Sequence, residues 1–148
     1  MSHRILWNVE GVEFPQVDTQ LLEKWITLVA NAHNRIVGNI VYVFCNDEYI
    51  LQTNRQFLNH DYYTDIITFD YCKGRVISGD LVISLDTVRS NAEGLQCEYS
   101  RELLRVIIHG ILHLCGIDDK GPGEREIMEA HENEALAQYD SLIRQIDL

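Results

Sequence analysis

Two histidines, His109 and His113, stand four residues apart at the end of a long apolar run, and an acidic pair, Asp118 and Asp119, follows Gly116. On a helix this spacing puts both imidazoles on one face, about one turn apart. Gly116 can take the left-handed conformation that ends a helix, with no Cβ to oppose it. The chain then turns back, so that Asp118 or Asp119 reaches the space above the two rings. Two ring nitrogens and one carboxylate oxygen leave a fourth tetrahedral position open, which is how a catalytic zinc site is built. A lone His in an apolar helix is more often a hydrogen-bonded core residue. Two of them, with a helix-stopping Gly and an acid, are harder to explain by packing, because each buried polar group needs a partner.

The element that must carry the pair is a helix from Ser100 through Leu114, apolar nearly all round and therefore buried at the centre of the fold. Before it come a short strand, His3 to Val9, and a helix capped by Asp18 that runs to about Asn34. Leu22, Trp25, Ile26, Val29 and Ala32 form that helix's apolar stripe, with His33 solvated at its end. Ile40 to Cys45 reads as a strand buried on both faces, followed by a helix from Asn46 or Asp47 to about Leu58. Asn59 to Asp65 is a polar loop carrying His60 and leading into a strand, Ile66 to Tyr71. Loops at strand ends often bear binding groups, although backbone-bonded Asp and Thr side chains explain such a loop equally well. Lys73-Gly74-Arg75 fits a hairpin connection to an edge strand, Gly79 to Leu85, and Asp86 starts a short helix to about Glu93. Pro122 opens a last, acid-rich helix, in which Met128 and His131 read as packing or surface residues.

The 148 residues suit a single domain, and 46% apolar residues with only two prolines exclude a disordered chain. No stretch is long and apolar enough to span a bilayer, and no basic region precedes an apolar segment at the N-terminus, so the expected location is the cytoplasm. Cys45, Cys72, Cys97 and Cys115 form no CxxC pair and are expected to be free and mostly buried, with Cys115 pointing off the histidine face. A net charge of −11 argues against strong sequence-independent nucleic-acid binding, though not against a local basic groove.

The order His, His four later, Gly seven later and a ligand ten later resembles the metzincin zinc proteases. Those enzymes carry Glu directly after the first His as general base, where this chain has Gly110. The metal geometry is kept and the protease base is missing, which makes an amidase or metalloprotease the second reading. The stretch His109 to Asp119 is more similar to the YbeY family signature HGxLHLxGYDH. Thr64 to Phe69 resembles that family's TDVLSF segment, and Gly79 to Ser84 its GDIxIS strand. Segment order and length match over the whole chain.

The resemblance implies an α+β fold, a small, mostly parallel mixed sheet of about four strands packed with about five helices around a metzincin-like metal helix. It implies a single-strand-specific, zinc-dependent endoribonuclease of ribosomal RNA maturation, at the small-subunit RNA 3′ end, and of ribosome quality control. RNA and the ribosomal subunit are the implied partners, with neither DNA nor membrane. A third reading is a ribosome-assembly factor whose zinc is mainly structural. In the implied set His109, His113 and Asp119 hold one zinc ion. The family's third histidine falls on Asp119, which makes the site less positive and shifts preference toward harder ions. An arginine common before the TD segment falls on Leu58, and Arg55, one turn earlier, can supply a phosphate contact. His60 is the candidate for proton transfer or phosphate contact, and Asp65 for orienting a ligand histidine or capping its loop.

Overall fold

The computed structural model describes residues 5–58 and 64–146. Four strands, β1 (Ile5–Glu10), β2 (Ile36–Cys45), β3 (Ile66–Asp70) and β4 (Val76–Ser84), form one sheet in the order β1-β2-β4-β3. β1, β2 and β4 are parallel, and β3 pairs antiparallel with β4 through the turn at Gly74. Five helices complete the described chain: α1 (Thr19–Ala32), α2 (Asp47–Leu58), α3 (Leu85–Leu95), α4 (Tyr99–Leu114) and α5 (Glu124–Ile146). This is the expected α+β architecture.

Alternation along the strands divides the core into two layers. Ile40, Tyr42, Phe44, Ile77, Leu81 and Ile83 point into the larger layer with α1, α3, α4 and α5. Val43, Cys45, Ile67, Phe69 and Val82 point the other way and pack with Ile50 of α2. The expected edge strand is thus an interior one. β4 lies between β2 and β3, as its run Leu81-Val82-Ile83-Ser84, buried on both faces, requires.

α4 is the buried helix its composition demands, and two contacts fix it in place. The Tyr42 hydroxyl donates to the Ile107 carbonyl at 2.8 Å inside the core. Gly110 meets the sheet directly: a Cβ there would stand 3.0 Å from both Ile66 and Leu81. The helix ends as its sequence requires. Gly116 has φ +95°, its N–H bonds to the His113 carbonyl at 2.9 Å, and the Ile117 N–H bonds to Leu112 at 3.2 Å. That is a Schellman termination, which turns the chain back toward the histidine face.

Other expectations need adjusting. Ala30, not Ala32, completes the stripe of α1: Ala30 is buried in the larger core layer, while Ala32, two residues on and so toward the opposite side of the helix, is exposed. His33 is half-buried at the end of α1, its ring against His131 of α5 at 5.0 Å between centroids, and burial together with that neighbour lowers its pKa. α5 begins at Glu124, two residues after Pro122, since the Glu124 carboxylate accepts from the Gly121 N–H and closes a turn ahead of the helix. All described cysteines are free, and Cys97 is exposed.

Candidate metal centre and its cleft

His109 is held on two sides. Its Nδ1 lies 2.7 Å from Glu132 Oε2, and facing a carboxylate this nitrogen carries the hydrogen. The other nitrogen, Nε2, is then free to act as a ligand and points at Asp119 Oδ2, 3.5 Å away. Two donors bound about 2.0–2.1 Å from one tetrahedral ion stand about 3.3 Å apart, so this pair is close to the spacing that a shared zinc would need. The Schellman turn at Gly116 is what returns Asp119 to His109.

Glu132 is itself anchored: its Oε1 accepts from Arg105 Nη1 at 2.9 Å, and Arg105 Nη2 bonds Asn133. Burial alone would raise the Glu132 pKa, but the bonds from His109 and Arg105 outweigh it and keep the carboxylate below its usual range. Burial likewise works against a charged His109, yet Glu132, Asp119 and Asp65 together reverse the direction and raise its pKa. A carboxylate behind the ligand nitrogen is the usual means of fixing ring orientation and tautomer in metal sites.

Asp65 closes the near end. Its carbonyl accepts from the Ser84 N–H at 2.9 Å, and its carboxylate accepts from Asn91 Nδ2 of α3 at 3.4 Å. Burial raises its pKa, partly offset by His109 and by neighbouring backbone N–H groups. These groups line a cleft of about 760 Å³ with α4 as its floor and α3 and α5 as its walls. Asp65, His109, Asp119, Glu132, Arg105 and Arg125 all face it.

His113 sits one turn beyond, half-buried, outside the cleft lining and near the Asp70 carboxylate, whose pKa it helps to lower. Its imidazole makes no hydrogen bond among the described residues. No group of three His, Cys, Asp or Glu side chains able to hold a metal ion converges among the described residues. The structure brings two of the three expected donors together and places the third on the same helix. Arg55 lies exposed in the last turn of α2, outside the cleft lining. His60 lies outside the described residues. Sequence reasoning missed Glu132 and Arg105, which only the packing of α5 on α4 reveals.

With this geometry in hand, comparisons with known proteins decide the family. The family described as Endoribonuclease YbeY matches residues 9–140. The chain belongs to the YbeY family. A YbeY relative of Phocaeicola vulgatus, named Endoribonuclease YbeY, is 65% identical over 133 residues, covering 90% of this chain and 96% of that protein. One of the same name from Bacteroides thetaiotaomicron is 60% identical, covering 90% and 97%. The solution structure of a Thermotoga maritima protein superposes with a TM-score of 0.63 at 25% identity, covering 93% of this chain and 92% of that one. The four-stranded mixed sheet is therefore one seen in a solved structure as well.

Proposed function

We propose that this chain is a single-strand-specific, metal-dependent endoribonuclease acting in ribosomal RNA maturation and ribosome quality control. The observation that carries the reading is the His109 ring, held by Glu132 at 2.7 Å with its second nitrogen toward Asp119. The names of its YbeY relatives supply the substrate class. His109, His113 and Asp119 would hold one divalent ion, zinc by the two imidazoles, which when bound supplies Lewis acidity toward a phosphoryl oxygen. RNA brings its own nucleophile, the 2′-hydroxyl, which must give up its proton as it attacks while the departing 5′-oxygen takes one up. Asp65, at the cleft's near end, and His60 are the proton-transfer groups in this reading.

A protease reading gains nothing from the fold. Gly110, on the face of α4 that packs against the sheet, has no side chain to serve as base, and even a methyl group there would press Ile66 and Leu81 aside. The test incubates metal-loaded protein with single-stranded RNA, structured RNA and casein, with and without chelator. Cleavage confined to single-stranded RNA and lost with chelator is expected. Casein cleavage would replace the reading by a peptidase; no cleavage at all, with chelator only lowering stability, would leave a structural metal.

Arg55 would meet the RNA backbone ahead of the cleft. Its replacement by Ala should make single-stranded RNA binding less salt-dependent, by about 0.7 in the log–log slope for one lost contact. An unchanged slope removes Arg55 from the interface.

A further inference from the structure

We propose that Arg125 is the phosphate-binding residue inside the cleft, gripping an RNA phosphodiester adjacent to the one presented to His109 and Asp119. The inference rests on the ribonuclease reading and specifies how its substrate is held. The cleft is an unfavourable place for a polyanion. Asp65, Glu102, Asp119, Glu129 and Glu132 line it, in a chain of net charge −11. Strand entry therefore needs a cation that is not already neutralised, and two line the cleft.

Arg105 is committed: one guanidinium nitrogen bonds Glu132 at 2.9 Å and another bonds Asn133 at 3.0 Å. Turning it toward a phosphate would strip Glu132 of its support and loosen His109. Arg125 is exposed in the first turn of α5, on the wall opposite α3, and makes no ion pair or hydrogen bond among the described residues. Glu129, four residues on, is the helical neighbour that could have neutralised it, and no ion pair joins them. Its planar fork is free to take a phosphate through two parallel hydrogen bonds.

The facing wall is of different character. Ser90, Asn91, Gly94 and an exposed Leu95 carry no charge. A strand lying between the walls thus turns its phosphates toward α5 and its sugars and bases toward α3. Arg125 thereby sets the direction in which the strand lies across His109.

The test measures binding of a short single-stranded oligoribonucleotide to metal-loaded protein across a salt series, by fluorescence anisotropy, with metal content read in parallel. Arg125→Ala should raise the dissociation constant roughly tenfold, the loss of one charge-assisted contact, and lower the salt slope by about 0.7. Metal content should stay at the wild-type level. Arg125→Lys should restore the slope, because the charge returns, while regaining only part of the affinity. Wild-type affinity and slope in Arg125→Ala would overturn the assignment and leave the ribonuclease reading standing. Absence of salt-dependent RNA binding by the wild-type protein would overturn both.

Discussion

Replacing His113 by Ala is expected to abolish metal binding and RNA cleavage together while the fold stays intact. The physical ground is that the imidazole contributes little to the fold: its electrostatic neighbour, the Asp70 carboxylate, is exposed and screened by solvent. The ring is half-buried in the last turn of α4 without a hydrogen bond among the described residues, and the backbone group that matters there, its carbonyl, still accepts from Gly116 in any variant. Alanine is the better helix former, so the change in stability should be below about 1 kcal/mol. Loss of a direct ligand should exceed the ten- to hundredfold affinity drop that follows loss of a ligand's supporting partner. Elemental analysis and thermal melting of the same preparation separate the two effects. A variant that keeps its metal at wild-type stoichiometry would remove His113 from the site.

The division between what the sequence discloses and what it hides follows the range of the interactions. The helix carrying His109 and His113 was legible because its signals are local: spacing sets the face of the two histidines, and Gly116 sets the stop within three residues of the second. The return of Asp119 was legible for the same reason. β4 was misjudged as an edge because only one of its two neighbours is local: β3 is its hairpin partner across Gly74, whereas β2, on its other side, comes from a distant stretch of the chain. His33 was misjudged because its neighbour, His131, stands on another helix. Glu132 was hidden most completely. It is one of several acids on α5, alongside Glu126, Glu129 and Glu134, and periodicity cannot say which of them turns inward. Its burial beside His109 is a tertiary fact, and the one available clue was a single acid in register with Met128, Ala135 and Leu136, the apolar face of α5.

That buried acid yields the second large effect. Glu132→Ala should lower metal affinity about ten- to hundredfold, since the His109 ring loses the bond that fixes its orientation and tautomer. It should also destabilise the fold by about 1–3 kcal/mol, because the Arg105 guanidinium loses a partner in a part-buried position; solvent at Arg105, whose side chain is 30% exposed, keeps the cost below that of a fully buried pair. Glu132→Gln divides the two consequences. The amide nearly preserves the shape and can still accept one hydrogen bond, so most of the stability should return. It cannot accept from both His109 and Arg105 while carrying no charge, so metal affinity should stay low. Competition with a chelator and denaturant melts of metal-free protein measure the two quantities separately. Equal recovery of both in Glu132→Gln would mean that Glu132 only props α5 on α4; recovery of stability alone would mean that its charge serves the His109 nitrogen facing Asp119.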